Sequence, residues 1–455
     1  MESKNKQALK GRSVIIVGGG LAGLSAALHL QEHGAAITLL ERNEYLGGRT
    51  ASWDKDGMIV ESGLHRFLGF FSELPQLLKM GGINPDDILF WEDEIIIMLK
   101  GKKRGRFGLA PFFKPLKTLA GFLGNSHLLS ISDKLTLTRF FTSGMIDCIR
   151  KPEYMDQMSI LEYAKNKGIS DKLITTIVTP LSAGLFFLPP QRYSSFVFFG
   201  IFIPFLPRIY KTRVGAFLGG MTDVMANPLA NKIIENGGVV ITDSEVTELI
   251  IENNAVKGVT ADGIDYRADH VILAASIGPA QKLIEESFGT HPWFAPMLSL
   301  PIMPSVTIQI ELKEPCMDID RTSFAPETCM AAFSEQSRST FRHTAGRLSV
   351  ILSPPEKFLA MQEQEILDYV INDAESIGLK IRNSVVQYRI VVEPAEFYAL
   401  IPGTEDLRPQ QKTPIPGLSL AGDYTKQKYL ATMEGAVYSG RLAAETVLEE
   451  WSEPS

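Results

Sequence analysis

The sequence has few cysteines, no long apolar run and no excess of positive charge. Its three cysteines, at positions 148, 316 and 329, include no CxxC pair, so we expect neither a disulfide framework nor a cysteine-rich metal site, and no metal is predicted. The longest apolar run, residues 196–206, is far shorter than the roughly 20 residues that cross a bilayer. The 45 basic and 52 acidic side chains give a net charge of −7, which argues against a nucleic-acid partner.

Two segments combine large apolar side chains with neighbouring positive charge. Residues 102–124 read KKRGRFGLAPFFKPLKTLAGFLG, and residues 181–207 contain the apolar run. Such segments can lie at an anionic lipid surface with their apolar side chains inserted, although a buried core helix beside a solvated basic loop has the same composition. The opening residues, MESKNKQALKGRS, have the character of neither a signal nor a transit peptide. We therefore expect a peripheral protein on the cytoplasmic side of a membrane, bound through these two segments.

A strand, a glycine-rich turn, a helix and a second strand are predicted near the start of the chain. Residues 12–17 form an apolar, β-branched run, residues 21–33 have apolar side chains at helical spacing, and residues 36–40 form a second buried strand. The turn carries a GxGxxG motif made by Gly18, Gly20 and Gly23. The first glycine permits a tight turn, the second a close approach of the backbone to a pyrophosphate, and the third close packing of helix on sheet. The pattern predicts a dinucleotide-binding βαβ unit.

Glu41 ends the second strand, eighteen residues after Gly23. A carboxylate at this place accepts hydrogen bonds from the hydroxyls of an adenosine ribose and repels the 2′-phosphate of NADP, so FAD and NAD remain open. Gly47, Gly48 and Arg49 follow. They suit a second close approach to the cofactor, with a guanidinium for a phosphate, although an ordinary turn has the same composition.

Two later parts of the chain continue the nucleotide-binding pattern. Short strands are predicted at 239–242, 246–252, 256–260 and 270–274, and a strand at 418–421 precedes a helix from about 433 to 449. We therefore expect a discontinuous nucleotide-binding domain made from residues 11–75, 215–280 and 411–450. Residues 76–214 and 281–410 would form a second, substrate-binding lobe that holds both candidate membrane-facing segments.

Three motifs resemble the FAD-dependent amine oxidase and desaturase superfamily. They are VGGGLAGL at 17–24 with GGR at 47–49, ESGLHRFLGFF at 61–71, and AGDYTKQKYLATMEGAVYSGRLAAE at 421–445. Within that superfamily they are most similar to phytoene and ζ-carotene desaturases of the plant and cyanobacterial type. The resemblance implies FAD as cofactor and an α/β fold, in which a glutathione-reductase-like (Rossmann-type) FAD-binding domain carries an inserted α+β substrate- and membrane-binding domain.

The resemblance also implies which residues form the site. Those expected at the cofactor are Gly18, Gly20, Leu21, Ala22, Gly23, Glu41, Arg42, Gly48, Arg49, Leu64, His65, Arg66, Val246, Gly422, Asp423 and Met433. Ala431 is expected to touch the substrate. Plant phytoene desaturases carry a substrate-side arginine near the position of Phe205, and Arg208 is the nearest arginine here. His65 is the candidate catalytic residue, as a proton-handling or flavin-contacting group, with a structural hydrogen bond under the ring as the alternative.

Helix physics gives independent support at the C-terminal motif. The predicted helix that begins at Met433 would aim its N-terminal amides at the flavin, where reduction develops negative charge. Glu434 either belongs to this cofactor contact or is an acidic residue in a first helical turn without a cofactor role.

The implied activity is FAD-dependent desaturation of a long isoprenoid or carotenoid, with hydride transfer to the flavin and a quinone or O₂ as acceptor. Hydroxysqualene dehydroxylase of hopanoid synthesis is one alternative, although those proteins carry DNGQH where this chain has ESGLH at 61–65. A flavin amine oxidase is another, but it needs a polar amine tunnel, which the basic and apolar lobe disfavours. A prenyl-lipid carrier without FAD would have no use for Glu41, Arg49 and Asp423.

Overall fold

The computed structural model describes residues 9–92, 94–108 and 128–452. The helices in chain order are α1 (Leu21–Glu32), α2 (Glu73–Met80), α3 (Ile131–Arg150), α4 (Pro152–Asp156), α5 (Ile160–Asn166), α6 (Asp171–Leu173), α7 (Thr179–Phe186), α8 (Ser195–Gly200), α9 (Asn227–Glu235), α10 (Ile277–Phe288), α11 (Ala295–Leu298), α12 (Glu363–Ser376) and α13 (Met433–Ser452). None of the helices within these described ranges is long and apolar enough to cross a membrane.

A five-stranded parallel sheet underlies the nucleotide-binding part. Its strands in spatial order are Val239–Ile241 (β10), Ala36–Leu40 (β2), Ser13–Val17 (β1), His270–Leu273 (β14) and Leu418–Leu420 (β20). Strands β1, β14 and β20 are almost wholly buried, as expected where a parallel sheet is covered on both faces. Three distant parts of the chain supply these strands, and the predicted α/β, Rossmann-type fold is confirmed.

Helix α1 of the βαβ unit packs closely against α13. A Cβ atom added at Gly440 would lie 2.1 Å from the carbonyl oxygen of Ala22, so only glycine permits this approach. The hydroxyl of Ser25 donates a hydrogen bond to the carbonyl oxygen of Val437 at 2.8 Å. An antiparallel sheet of Val246–Glu252 (β11), Ala255–Ala261 (β12) and Ile264–Arg267 (β13) adjoins β14. The close approach at Gly440 and the hydrogen bond of Ser25 thus fix α13 against α1.

A seven-stranded sheet forms the centre of the second lobe. Its strands in spatial order are Val385–Tyr398 (β19), Ile302–Leu312 (β15), Gly346–Leu352 (β18), Met330–Glu335 (β17), Ser323–Phe324 (β16), Glu94–Leu99 (β7) and Lys103–Gly108 (β8). Neighbouring strands are antiparallel except β16 and β7, which are parallel. Helices α3–α8 belong to the same lobe, where α7 packs against β17, which agrees with the predicted α+β lobe. The domain limits themselves stay a prediction.

Two small sheets join the lobes. One pairs Ser52–Lys55 (β3) with Met58–Glu61 (β4), and the other has the order Phe67–Leu68 (β5), Val214–Phe217 (β9) and Leu89–Glu92 (β6). Because β5 directly follows the ESGLH motif, the second sheet fixes the chain on one side of that motif.

The apolar segment at 181–207 lies mostly in the protein core. Phe198 and Phe199 are buried, with ring centroids 5.1 Å apart, and Phe199 packs against Phe140 of α3 at 5.2 Å. A Cβ atom at Gly144 would lie 2.2 Å from the ring of Phe199, so α3 needs glycine to approach the ring. The expectation that this segment faces a membrane is therefore wrong for its central aromatic side chains. Most of the other candidate segment, 102–124, lies outside the described residues.

Candidate cofactor-binding and active site

The glycine turn between β1 and α1 has three glycines with different geometric duties. Gly18 has a φ of +112°, a conformation that favours glycine. A Cβ atom at Gly23 would lie 2.0 Å from the carbonyl oxygen of Gly18, so close packing of α1 requires glycine there. At Gly20 the nearest atom to an added Cβ would be the Cα of Gly48, 3.9 Å away. Gly20 therefore leaves free space that the protein itself does not fill.

A large cavity lies at the carboxyl ends of the parallel strands, the usual ligand position in this class of sheet. One end of the cavity, here called the polar end, is lined by Gly18, Gly20, Leu21, Ala22, Glu41, Arg42, Asn43, Gly48, Arg49, Val246, Gly422 and Asp423. The other end, here called the apolar end, is lined by Leu185, Phe186, Phe187, Met303, Ile351, Phe397, Tyr398 and Leu400. One cavity is therefore lined by both sets of residues.

The carboxylate of Glu41 is buried and oriented at the polar end. Its Oε2 accepts a hydrogen bond from the amide of Gly19 at 2.7 Å, and its Oε1 accepts from the amide and the side chain of Asn43 at 3.0 and 2.9 Å. The amide of Ser244 donates to the Glu41 carbonyl at 2.8 Å, which holds the segment that carries Val246 beside β2. Arg42 lies at the cavity edge, where it pairs with Glu396 at 2.9 Å.

Arg49 and Asp423 meet at the polar end of the cavity. The guanidinium forms an ion pair with the Asp423 carboxylate and lies 4.7 Å from the ring centroid of Phe397. Gly422 has a φ of +146°, and its amide donates to the Ser439 hydroxyl at 2.9 Å. The DY turn of the C-terminal motif therefore places a carboxylate against the arginine of the GGR motif, although 374 residues separate them.

His65 lies on the cavity wall beside Leu64. Burial, and then the guanidiniums of Arg49 and Arg66, lower the pKa of His65 to about 4. The imidazole is therefore neutral near pH 7. Its Nδ1 is buried, and among the described residues no protein group accepts or donates a hydrogen bond there. A buried polar atom of this kind calls for a partner from a ligand in the cavity.

Arg66 differs from the expectation that it lies beside the flavin, because its side chain turns away from the cavity. Its Nε lies 2.6 Å from Glu92, and its Nη2 lies 2.8 Å from Asp320 and 2.7 Å from the Ser334 hydroxyl. A buried guanidinium is stabilised by such partners. Glu92 and Asp320 went unrecognised in the sequence, since no local motif marks either residue.

Of the two residues expected at the substrate, the structure brings one to the cavity. Ala431 lines it, together with Thr432 and Met433 at the start of α13. Arg208 lies in the 3₁₀ turn Ile203–Lys211, away from the described residues that line the cavity, so its assignment to the substrate is not supported. Phe205 itself is buried, and its ring stacks on the ring of Tyr429 with centroids 5.4 Å apart.

The polar end fits FAD by its chemistry. Gly20 leaves room for a pyrophosphate, Glu41 offers a carboxylate at the end of β2, and Arg49 offers a positive charge. Met433 begins a helix of twenty residues, whose N-terminal amides adjoin the cavity. The residues expected at the cofactor line this cavity, with two exceptions. The side chain of Arg66 turns away from the cavity, and Gly23 serves the packing of α1.

Comparisons with known proteins agree with this geometry. A family described as flavin containing amine oxidoreductase matches residues 21–448. The chain is 27% identical to the 15-cis-phytoene desaturase of Solanum lycopersicum, over 96% of this chain and 78% of that protein. It is also 27% identical to the 15-cis-phytoene desaturase of Synechococcus elongatus, over 97% of this chain and 96% of that protein. A solved oxidoreductase from Methanosarcina mazei has the same fold, with a TM-score of 0.73, 20% identity and coverage of 96% of this chain and 100% of that one. Because the family match covers nearly the whole chain, the protein belongs to the family of flavin-containing amine oxidoreductases.

Proposed function

We propose that this FAD-dependent oxidoreductase desaturates a long isoprenoid of the phytoene or ζ-carotene type. The observation that carries the proposal is that one cavity is lined both by the residues that fit FAD and by a set of large apolar side chains. Leu185 lines the apolar end and is also 42% exposed, so this end opens to the surface. A hydrocarbon that enters beside Leu185 would reach the middle of the cavity along aromatic and aliphatic side chains. The similarity to 15-cis-phytoene desaturases supports the same substrate class.

The chain's own residues would align the substrate and exclude water from it. FAD bound at the polar end would supply the acceptor for the hydride. Phe187 and Phe397 have ring centroids 5.3 Å apart and form a continuous aromatic wall toward Arg49. Alignment of an apolar chain against such a wall lowers the entropic cost of the reaction. His65 would act as a neutral hydrogen-bonding group at the cofactor, since burial disfavours its charged form.

We further propose that the protein reaches its substrate at a membrane surface through α3. Ile131, Leu135, Ile146 and Ile149 form one exposed stripe of this helix, with exposures of 75%, 57%, 43% and 60%. At 100° per residue the four side chains lie within about 60° of one another. Arg139 flanks the stripe, which suits an anionic lipid surface. A membrane quinone would then be a natural electron acceptor, with O₂ as the alternative.

Anaerobic reduction of the purified flavoprotein tests the substrate class. The protein is mixed with liposomes that contain phytoene or ζ-carotene, with squalene-type lipids, and with amines. Carotene should bleach the flavin absorbance and give a product that absorbs at longer wavelength. Leu185→Glu, which places a charge at the apolar opening, should slow this bleaching, whereas Ile234→Glu, at a somewhat more exposed site on α9, should not.

The other outcomes would overturn the proposal. Bleaching by amines alone would make the protein an amine oxidase. A hydroxylated squalene that bleaches nothing but reoxidises the pre-reduced flavin would point to dehydroxylation, because replacing a hydroxyl group by hydrogen takes a hydride from the flavin. No bleaching by any of these compounds would reject the desaturase assignment. Equal rates for Leu185→Glu and the unmodified protein would reject the entry route.

A further inference from the structure

Two walls of the cavity come from opposite ends of the sequence. Leu64 and His65 line the cavity from the segment shortly before α2, and Ala431 and Met433 line it from the start of α13. A cofactor in contact with both segments requires a fixed placement of one relative to the other. The contact between α2 and α13 therefore determines how accurately the cavity is shaped.

Glu434 forms the core of that contact. Its side chain is fully buried and reaches from the first turn of α13 to the N-terminus of α2. Its Oε1 accepts hydrogen bonds from the amide of Ser72, from the Ser72 hydroxyl at 2.9 Å and from the amide of Glu73 at 2.9 Å, and its Oε2 accepts from the amide of Leu74 at 2.9 Å. All four partners are donors, which is the arrangement that an ionised carboxylate satisfies.

The carboxylate thus performs the capping that α2 does not obtain from its own chain. Ser72 occupies the N-cap position of α2, but its side chain makes no capping hydrogen bond. The first amides of a helix lack partners within the helix, and a carboxylate at this position satisfies them. Glu434 supplies this cap from a residue 362 positions away.

The backbone beside Glu434 has little freedom to absorb a change. A Cβ atom at Gly435 would lie 2.1 Å from the carbonyl oxygen of Leu430, and Leu430 itself has a φ of +51°, which is uncommon for a branched side chain. The hydroxyl of Thr432 accepts a hydrogen bond from the amide of Gly435 at 3.0 Å. A displacement of Glu434 would therefore be passed on to Met433, the neighbouring residue that lines the cavity.

We propose that Glu434 is a positioning residue that fixes the start of α13 relative to the start of α2 at the flavin site. Its carboxylate holds the first turn of α13 against the start of α2, and so fixes the position of Met433 relative to the segment that carries His65. The inference rests on the assignment of this cavity to FAD in the proposed function. It assigns Glu434 no contact with the cofactor, because the side chain faces α2.

Arg441 provides a matched control at the same junction. Its Nε lies 3.0 Å from the Glu73 carboxylate, so it also joins α13 to α2, but it lies two turns farther along α13 and is partly exposed. An ion pair in such a position contributes little to stability. Arg441→Gln should therefore keep the FAD affinity, reduction potential and flavin absorption bands of the unmodified protein.

The experiment compares Glu434→Gln with this control in the full chain. Glu434→Gln keeps the side-chain shape but replaces one acceptor oxygen with an NH₂ group that opposes the α2 amides. We expect its dissociation constant for FAD to rise roughly tenfold, with a shifted flavin absorption band and a changed reduction potential. Ser72→Ala, which removes only the hydroxyl donor, should shift the same quantities less.

The results separate positioning from simple stability. A Glu434→Gln protein with a lower Tm but with the FAD affinity, absorption bands and potential of the unmodified protein would overturn the proposal, because Glu434 would then be a structural cap alone. If Glu434→Gln does not fold, Ser72→Ala decides the question by the same measurements. Failure of the unmodified protein to bind FAD would instead refute the assignment of the cavity itself.

Discussion

The contrast between Gly20 and Gly23 gives a sharp test of the glycine turn. Alanine at Gly20 should leave the fold intact and weaken FAD binding, whereas alanine at Gly23 should destabilise the fold. The reason is geometric, since the added Cβ would face open space at Gly20 and would lie 2.0 Å from the Gly18 carbonyl oxygen at Gly23.

The magnitudes follow from the local backbone. Gly20 has a φ of −77° and a ψ of 178°, which alanine adopts without strain, so its replacement should change the free energy of unfolding by no more than about 1 kcal/mol. At Gly23 the clash is with a backbone atom, and overpacking of this kind costs about 1–3 kcal/mol. Loss of one charge-assisted hydrogen bond to a phosphate at Gly20 costs about 1.5–3 kcal/mol, which weakens FAD binding roughly 10- to 100-fold.

Two measurements check this prediction on each variant. Urea unfolding of the FAD-free protein gives the free energy of unfolding, and a fluorescence titration gives the dissociation constant for FAD. Gly20→Val should bind still more weakly than Gly20→Ala because it adds two methyl groups at the same place. Full FAD occupancy in Gly20→Val would refute the reasoning, and so would a strongly destabilised FAD-free Gly20→Ala protein.

Three further predictions concern separate parts of the molecule. Asp423→Ala leaves the partly buried Arg49 without its partner, so the dissociation constant for FAD should rise at least about tenfold in the same titration, and an unchanged value would remove Asp423 from the site. Burial lowers the pKa of His65 to about 4, so between about pH 6.5 and pH 4 the unfolded chain binds a proton that the folded protein does not. The free energy of unfolding should therefore fall as the pH falls through this range, and urea unfolding of His65→Gln should show a shallower fall. The double variant Leu135→Glu/Ile149→Glu should sediment less with anionic liposomes than the unmodified protein, whereas Ile264→Glu on β13 should not. Equal sedimentation of the unmodified protein and both variants would reject α3 as the membrane surface.

The cofactor end could be predicted because its signals are local. The turn at 18–23, the carboxylate at Glu41 and the strands on either side belong to one βαβ unit, in which spacing along the chain determines position in space. The observed strands and helix, Ser13–Val17, Leu21–Glu32 and Ala36–Leu40, lie within one residue of the predicted bounds. The helix predicted from about 433 to 449 was found as well, as α13.

The contacts that span the molecule could not be predicted in this way. Arg66 meets Asp320 across 254 residues, and Glu434 meets Ser72 across 362. Arg66 was therefore assigned to the cofactor because it stands in a motif, although its partner is another part of the protein. Buried charges need partners of opposite sign or hydrogen-bond donors, but nothing in the sequence tells which partner is chosen.

Composition also misled the expectation for the central aromatic side chains of residues 181–207. Phe198 and Phe199 are buried because they pack on α3, whereas the exposed face of α3 carries Ile131 and Ile149 among polar residues. A core helix and an interfacial helix share the same residue types, and only the direction of the side chains separates them. The amphipathic spacing of α3, on which the proposed membrane contact rests, was present in the sequence and was not used.

The polar end of the cavity can be predicted from the sequence better than the apolar end because the two ends bind their ligands by different means. A dinucleotide is held through backbone amides, close glycine contacts and a few charges, and each of these restricts the residue type at a given position. A hydrocarbon is held by apolar side chains, which exchange for one another at little cost when their total volume is kept. Phe187, Met303 and Ile351 line the apolar end from three separate parts of the chain, and none of them stands in a recognisable motif. Identification of the substrate must therefore come from experiments on this end of the cavity. The reduction of the flavin by candidate polyenes, compared between the unmodified protein and Leu185→Glu, is such an experiment.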